Sequence, residues 1–286
     1  MTRLVLLLMV TAAGAARPEI QRRRFLAAAA ASTTAPAPAD ASGLLLLPPT
    51  KPLTNRYVLV RAGESRSEAD GVIETNAARK FLFSNGLTEE GAKQASAAAD
   101  AVARVFGDAG GPPVVRYATA RHCKQTADIL GARLAVPSSK LLPEADLLDA
   151  RGYGAHEGEA LSRVPQLWAD YDARSRYARP PDGEDGAYAE SVEDVFVRVR
   201  EFLSVCETTL CDDVVVIAPG SDILSILEAA LRGRKLTSHY DLAYEPGEVR
   251  YIGDFCDAKP WPSQRPEAAD DAVARVRAAR RPPKAA

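Results

Sequence analysis

Residues 214–218 form an uninterrupted apolar run, Val-Val-Val-Ile-Ala, and the turn sequence Pro219-Gly220-Ser221 follows it directly. A continuous apolar run of this length predicts a strand that is buried on both faces, as in the centre of a parallel sheet. Residues 222–231 then predict a helix immediately after the turn. A strand buried on both faces needs a layer of helices on each side of its sheet, so this segment indicates an α/β fold.

The rest of the chain supports the same fold class, because short apolar runs alternate with segments of helical periodicity. The apolar runs predict strands over residues 57–60 and 114–117, and residues 248–255 predict an edge strand. Helix signals, which are N-terminal capping residues, alanine-rich stretches and three-and-four apolar spacing, occur over residues 88–106, 123–134 and 191–206. We expect a three-layer α/β/α sandwich with a mostly parallel central sheet, whose functional groups gather at the carboxyl ends of the strands.

The first 50 residues resemble targeting segments. Arg3 precedes the apolar run 4–10, and small residues follow at 12–16, which is the layout of a signal peptide. Residues 17–41 then combine arginines with Ser, Thr, Pro and Ala, as a transit peptide does. We expect a signal plus transit peptide that directs the chain to a plastid, with the thylakoid lumen as one candidate compartment within it. Secretion followed by a disordered spacer is the alternative.

These segments define the expected organisation of the chain. Residues 1–50 are predicted to be the targeting peptide and a disordered spacer, and residues 51–257 the folded domain. Residues 258–286, which are rich in Ala, Arg, Asp and Pro, are predicted to be a tail or one loose helix. We expect no stable membrane span in the mature chain, since the apolar run 4–10 is too short to cross a bilayer.

The composition argues against several classes of function. The chain has 36 basic and 38 acidic residues and no basic patch interleaved with aromatic residues, so nucleic acid is not an expected partner. Its four cysteines lack a CxxC spacing, so neither a metal site nor a cofactor is expected. They are interpreted as buried free thiols, with a Cys206–Cys211 disulfide as an alternative in an oxidising compartment.

Five short segments lie next to these elements. They are, in chain order, Arg-Ala-Gly-Glu-Ser at 61–65, Leu-Thr-Glu-Glu-Gly at 87–91, Arg-His-Cys-Lys-Gln-Thr-Ala at 121–127, Gly-Ala-His-Glu-Gly at 154–158, and the run 214–220. Each segment alone is a weak signal. Together, in this order and at this spacing, they resemble the histidine phosphatase superfamily of phosphoglycerate mutase-like proteins. The resemblance covers residues 57–255 and implies the same three-layer α/β fold.

The resemblance also implies a type of active site. In this family a histidine after the first strand attacks phosphorus, two arginines and a second histidine hold the phosphoryl oxygens, and a carboxylic acid protonates the leaving oxygen. Imidazole is nucleophilic near neutral pH, fixed cations stabilise charge on the phosphoryl oxygens, and the acid avoids expulsion of an alkoxide. The type of residue at each position therefore decides whether the reaction can occur.

Three of these catalytic positions fall on residues that cannot do the chemistry. The nucleophile's position holds Ala62, the acid's position holds Ala150, and the position of the second histidine holds Pro219. A methyl group has no lone pair for attack on phosphorus, and proline supplies neither a cation nor an N–H. The resemblance thus implies that no catalytic residue is intact.

The residues left around these positions would form a vestigial phosphate pocket. Arg61 keeps the first arginine of the family, and Glu68 stands where an asparagine helps bind phosphate. The second arginine's position falls on His122, with Arg121 one residue away, and Ser221 begins the helix after the turn. The negative charge of Glu68 opposes anion binding if its side chain points into the pocket.

We therefore expect a non-catalytic phosphatase-like protein with a binding or regulatory role. Its partner is expected to be a weakly bound phosphorylated small molecule or another protein. The alternative is a phosphomonoester hydrolase or phosphomutase with rearranged residues, in which His122 is the nucleophile and Asp149 or Glu144 the acid. A structural protein without a pocket ligand is a third possibility. His156 stands where the family often has an aromatic residue, and it is expected to have a surface or packing role rather than a catalytic one.

Overall fold

The computed structural model describes residues 44–76, 79, 84–106, 111–184 and 186–252. The predicted targeting segments up to residue 43 and the predicted tail at 258–286 lie outside the described residues. In the described part, five strands form one sheet: β1 Arg56–Arg61, β2 Val114–Ala118, β3 Leu141–Glu144, β4 Asp213–Ala218 and β5 Val249–Ile252. Their order across the sheet is β3-β2-β4-β1-β5.

Strand β4 lies at the centre of this sheet, as its apolar run predicted. It pairs in parallel with β1 on one side, where Val214 lies opposite Tyr57, and with β2 on the other. Its residues from Val214 to Ala218 are fully buried. Strand β3 extends the parallel arrangement beyond β2, whereas β5 runs antiparallel to β1 at the opposite edge. The sheet is therefore mostly parallel, with the predicted edge strand in place.

The helices cover the sheet in two layers. They are α1 Arg66–Ala69, α2 Glu89–Phe106, α3 Arg121–Arg133, α4 Val164–Leu167, α5 Val192–Thr209 and α6 Ser221–Leu231. Helix α2 packs on α3, and α5 packs on α6. Burial of both faces of β1 and β4 under these helices gives the three-layer α/β/α sandwich that the sequence predicts.

The helix starts follow local sequence signals. Ser191 caps α5 in a capping box: its hydroxyl accepts a hydrogen bond from the Asp194 backbone N–H at 3.1 Å, and Asp194 Oδ2 accepts one from the Ser191 N–H at 2.9 Å. Thr88 Oγ1 accepts a hydrogen bond from the Gly91 N–H at 2.9 Å at the start of α2. These caps satisfy N–H groups that have no partner within the helix, and they fix both starts to within one residue of the prediction.

Two of the differences between the structure and the prediction concern α5 and β3. Helix α5 runs to Thr209, three residues beyond the predicted end at 206, because no glycine or proline stops it there. Strand β3 was not predicted; it has only four residues, includes Pro143 and is partly exposed, so its sequence carries little strand signal. The connections contain short 3₁₀ and π turns at Ser138–Lys140, Gly154–His156, Leu161–Arg163, Trp168–Asp172 and Leu236–Leu242.

The cysteines in the described part are unpaired. Cys123 and Cys206 are buried, Cys211 is exposed, and all three are free thiols, so the Cys206–Cys211 disulfide is not formed. Cys256 lies outside the described residues. Within the described ranges, no group of His, Cys, Asp and Glu side chains has an arrangement that could hold a metal ion. No helix in those ranges combines the length and apolar character needed to cross a membrane.

Candidate functional site

A cavity of about 350 Å³ opens at the carboxyl ends of β1, β2 and β4. The elements that line it are the loop after β1, the first turn of α3, the turn after β4 and the segments 150–153, 161–168 and 243–246. Six of the residues singled out from the sequence lie in its wall: Arg61, Glu68, His122, Ala150, Pro219 and Ser221. The structure thus brings these six residues together around one cavity.

Other residues singled out from the sequence lie outside this wall. Ala62 is 1% exposed, and its backbone N–H donates a hydrogen bond to the Ala218 carbonyl at 3.0 Å. Arg121 begins α3, and Asp149 is buried next to Ala150, but the described lining residues include neither. Glu144 ends the outer strand β3 and forms an ion pair with Arg116 of β2. Neither carboxylate considered as a substitute acid therefore lines the cavity.

Arg61 is bound on two sides by groups of the protein itself. Its Nη2 donates a hydrogen bond to Glu68 Oε1 at 2.5 Å, and its Nη1 donates one to the Tyr244 carbonyl at 2.5 Å. Glu68 Oε2 also accepts hydrogen bonds from the Ser65 backbone N–H and from the Ser65 hydroxyl, both at 2.8 Å. The Glu68 carboxylate thus binds both the Arg61 guanidinium group and the two donors of Ser65.

The position of Glu68 is set by local helix capping. Ser65 is the N-cap of α1 and Glu68 is its N3 residue, and the two form a capping box. Burial alone raises the pKa of Glu68, but Arg61, His122 and the Ser65 hydrogen bonds outweigh burial and lower that pKa below its ordinary value. Glu68 is therefore a carboxylate at neutral pH, and its charge faces the cavity beside Arg61.

His122 is the second residue of α3 and is 7% exposed. Its Nδ1 has no hydrogen-bond partner in the described part of the chain. Burial lowers the pKa of His122 below its ordinary value, so the ring is neutral near pH 7. The cavity thus has a neutral imidazole where the family resemblance places a permanent cation.

The turn after β4 leads directly into α6 at the edge of the cavity. Ser221 Oγ accepts a hydrogen bond from the Tyr244 N–H at 2.8 Å, and Gly220 is an N-cap without a side-chain cap. The positive end of α6 therefore points towards the cavity. Asp222 lies in this first turn, where its carboxylate compensates the helix dipole and accepts a hydrogen bond from the Tyr153 hydroxyl at 2.6 Å.

A buried network behind the cavity was not found from the sequence. Arg151 Nη1 and Nη2 donate hydrogen bonds to the two carboxylate oxygens of Asp172 at 2.6 and 2.7 Å, and both side chains are at most 2% exposed. His239 Nε2 lies 3.1 Å from Asp172, and His239 Nδ1 lies 2.8 Å from the Ser225 hydroxyl. Ser225 and His239 are 0% exposed, so this Ser-His-Asp arrangement has no access to a substrate.

Aromatic side chains form a second wall that the sequence did not indicate. Trp168 Nε1 donates a hydrogen bond to the Tyr153 hydroxyl at 3.1 Å, and the Trp168 ring stacks on Tyr240 with centroids 6.0 Å apart. Tyr153 and Trp168 both line the cavity. The three residues are far apart in sequence, so no local motif could have identified them.

The charges around the cavity are unbalanced. Among the described lining residues five are carboxylates: Glu64, Glu68, Glu74, Asp222 and Glu245. Two are guanidinium groups, Arg61 and Arg151, and each of these is bound to a carboxylate. The described part of the cavity wall therefore carries an excess of negative charge, which is the opposite of the cationic side chains that bind phosphate most strongly.

His156 packs away from the cavity, in agreement with the prediction. Its Nδ1 lies 3.1 Å from Glu159, and its ring centroid lies 6.2 Å from that of Tyr171. It is not among the described residues that line the cavity.

The comparisons with known proteins agree with this architecture. The sequence model described as "Histidine phosphatase superfamily (branch 1)" matches residues 57–261 of the chain. No curated protein sequence matches it. A structure of mycobacterial glucosyl-3-phosphoglycerate phosphatase in complex with VO₃ is similar at 18% identity and a TM-score of 0.53, over 70% of this chain and 92% of that one.

Two further solved structures have the same fold. The α-ribazole phosphatase from Shigella flexneri is 19% identical with a TM-score of 0.51, over 69% of this chain and 90% of that one. The phosphoserine phosphatase from Entamoeba histolytica, solved with 3-phosphoglyceric acid, is 14% identical with a TM-score of 0.52, over 69% and 89% of the two chains. At these identities the similarity establishes the fold alone.

Proposed function

Because the chain belongs to the histidine phosphatase superfamily, branch 1, we propose that it uses the phosphatase fold to bind a ligand or a partner and does not transfer phosphoryl groups. The proposal combines two features. One is the identity of the residues at the positions that carry the family's chemistry, and the other is the acidic wall of the cavity at the carboxyl ends of the strands.

The observation that carries the proposal is the ion pair between Arg61 and Glu68. A phosphoryl group would need the Arg61 guanidinium, but the Glu68 carboxylate already binds it at 2.5 Å. A second anion about 4 Å from that carboxylate would be repelled by roughly 4 kcal/mol at an effective dielectric constant near 20. The protein's own carboxylate thus fills the place of a phosphate.

The residue after β1 supports the same conclusion. Ala62 stands at the position that the family resemblance gives to the nucleophile, and its methyl group cannot accept a phosphoryl group. Loss of a covalent nucleophile costs roughly a millionfold in turnover in a serine protease. Pro219, which lines the cavity at the end of β4, adds neither a cation nor a donor. The chain therefore has no residue at the nucleophile's position that could begin the covalent reaction of the family.

His122 provides the second candidate function, a phosphomonoesterase or phosphomutase with rearranged residues. It lines the cavity, and its Nδ1 has no partner among the described residues. A neutral imidazole with an unprotonated ring nitrogen is the form of histidine that can attack phosphorus. Against this function, Arg61 is paired, and Asp149 and Glu144 are absent from the described lining residues. We therefore place binding ahead of catalysis.

A phosphatase assay separates the two candidates. The full chain is incubated with 4-nitrophenyl phosphate beside the His122→Ala variant and beside an Ala62→His, Pro219→His double variant. We expect no turnover by the unmodified chain. Turnover that His122→Ala abolishes would establish the second candidate instead. Circular dichroism of each variant shows whether it is folded, so an inactive variant is interpreted only where its spectrum matches the parent.

We further propose that the chain acts in a plastid, following the signal and transit features of its first 50 residues. A fusion of the full chain to a fluorescent protein tests this location in a cell with a plastid. Fluorescence that coincides with chlorophyll supports the proposal, and fluorescence in the medium supports secretion. Of the two expected classes of partner, the paired state of Arg61 disfavours a phosphorylated small molecule.

A further inference from the structure

We propose that the cavity binds a small organic cation, an ammonium or guanidinium group attached to an apolar body, in place of a phosphorylated ligand. This assignment rests on the proposed function, in which the site binds without catalysis, and it names the chemistry of the ligand. The argument uses the pairing of the charges, one buried nitrogen atom and the apolar part of the wall.

Among the described lining residues, two carboxylates have no partner, whereas both guanidinium groups are paired with carboxylates. The side chains of Glu74 and Glu245 line the cavity and have no hydrogen bond or ion pair with any described residue. Arg61 is bound to Glu68, and Arg151 to Asp172. A ligand that enters the cavity therefore meets two unpaired carboxylates, whereas each described guanidinium group of the wall is ion-paired and only the buried Arg61 Nε lacks a hydrogen-bond partner among the described residues.

The independent observation is the unsatisfied ring nitrogen of His122. The side chain is more than nine-tenths buried, it lines the cavity, and its Nδ1 has no partner among the described residues. A buried polar atom without a partner costs free energy unless a ligand or water satisfies it. A neutral imidazole nitrogen can accept an N–H from an ammonium or guanidinium group, so His122 and the free carboxylates favour the same kind of ligand.

The remaining wall fits an apolar body. Ile73, Leu161 and Val164 contribute aliphatic surface, and Trp168 and Tyr153 contribute aromatic rings. Aromatic faces also attract cations, most strongly when the site is partly desolvated. A cavity of about 350 Å³ lies within the size range of small-molecule sites. An amphiphilic cation can therefore bury its apolar part here while its charged end reaches the carboxylates.

Two other ligand classes fit less well. A phosphorylated molecule would place its charge near Glu68 and Asp222, with Arg61 already paired. A metal ion needs several convergent ligands, and the described residues contain no group of three or more side chains that could hold one. The acidic wall is thus suited to a cation that is organic and large enough to contact its apolar part.

The test compares three probes that share a phenyl group and differ in charge. Phenethylammonium chloride, 2-phenylethanol and phenyl phosphate are titrated into the full chain by isothermal titration calorimetry at low ionic strength. We expect the ammonium probe to bind about tenfold more tightly than the alcohol and phenyl phosphate to bind most weakly. Equal binding of the ammonium and the alcohol, or tightest binding of phenyl phosphate, would overturn the assignment.

A pair of double variants tests whether phenethylammonium binds in the cavity. Glu74→Gln with Glu245→Gln removes the two free carboxylates, and we expect the dissociation constant for phenethylammonium to rise at least tenfold. Glu89→Gln with Glu90→Gln is the matched control, because it removes the same charge from the exposed start of α2. An equal change in both double variants would show that attraction is non-specific and would overturn the assignment.

The outcome for the ligand is separate from the outcome for catalysis. Failure of phenethylammonium to bind, together with no hydrolysis of 4-nitrophenyl phosphate, refutes the cationic ligand and leaves the non-catalytic function in place. Hydrolysis of 4-nitrophenyl phosphate refutes the proposed function directly, whatever the binding result.

Discussion

The guanidinium group of Arg61 lies 2.5 Å from the carboxylate of Glu68, which follows it by seven residues in the chain. Arg61 ends β1, and Glu68 is held by the capping box that begins α1. The ion pair is therefore fixed from both sides by secondary structure. It converts the one cation that the family resemblance places at the end of the first strand into a neutral pair.

Release of Arg61 is the first prediction. Glu68→Gln keeps the shape of the side chain and an acceptor for Ser65, but removes the charge that binds Arg61. We expect affinity for orthovanadate to rise by at least about tenfold, since a nearby cation becomes available and a repelling anion is lost. Titration calorimetry with the full chain measures this change.

The matched control for that prediction is Glu64→Gln. Glu64 also lines the cavity, but its carboxylate accepts a hydrogen bond from the Thr88 hydroxyl and leaves the Arg61–Glu68 pair intact. We expect a smaller gain in vanadate affinity from this variant. Equal gains from the two variants would mean that general acidity, and not the pairing of Arg61, excludes anions.

The buried pair of Arg151 and Asp172 leads to the second prediction. Asp172→Asn removes the carboxylate that binds both Nη atoms of Arg151 and leaves only Asp222, 3.5 Å from Nη1, as a counter-charge. We therefore expect a loss of about 3 kcal/mol in the free energy of unfolding, the lower end of the range for a broken buried pair. Urea denaturation measures it. The control is Asp128→Asn, which breaks the surface ion pair between Asp128 and Lys124, side chains that are 54% and 55% exposed. This variant should lose at most about 0.5 kcal/mol in the free energy of unfolding. Similar losses in the two variants would contradict the buried role of Asp172.

The third prediction concerns acid stability. Burial raises the pKa of Asp172, but Arg151 more than offsets burial and lowers that pKa to about 2. A carboxyl group whose pKa is lower in the folded than in the unfolded state stabilises the fold above its unfolded pKa of about 3.9. That contribution is lost as the pH falls from about 4 to about 2. Urea unfolding from pH 6 to pH 2 should show the parent chain lose stability in this window and converge towards Asp172→Asn. A constant difference between the two proteins would be inconsistent with this linkage.

The close approach of the loop after β1 to α2 gives the fourth prediction. A Cβ at Gly91 would lie 2.2 Å from the Glu64 carbonyl oxygen, and backbone atoms cannot rotate away. Alanine favours a helix over glycine by about 1 kcal/mol, but we expect this clash to prevail and Gly91→Ala to lose at least about 1–3 kcal/mol. Gly111→Ala is the control, because nothing lies within 4 Å of its Cβ position. Thermal unfolding of both variants checks the comparison, and a more stable Gly91→Ala protein would disprove it.

The fold could be predicted because its signals are local. The apolar run at 214–218 identifies the central strand from burial on both faces, and Ser191 and Thr88 mark helix starts through their caps. Strand β3 could not be predicted, since it is held by pairing with β2 and has little apolar pattern of its own. A strand of this kind depends on its neighbours more than on its sequence.

The candidate site was predictable only in part, for a related reason. Arg61, His122 and Pro219 each follow a predicted strand of the parallel sheet, and the carboxyl ends of parallel strands share one edge. Arg151, Asp172 and His239 form their network through connections that have no periodic pattern, so nothing in the sequence brings them together. The pairing of Arg61 with Glu68 was predictable only in part. The Ser65–Glu68 capping box is visible in the sequence, but the sequence does not show that the Glu68 side chain points towards Arg61.

The most direct test of the account is a search for a phosphorylated side chain. The full chain is incubated with 4-nitrophenyl phosphate, quenched without acid to preserve phosphohistidine, and examined by intact-mass spectrometry beside the His122→Ala variant. The account predicts that neither protein gains the mass of a phosphoryl group. A phosphorylated native chain, with the modification absent from His122→Ala, would contradict it.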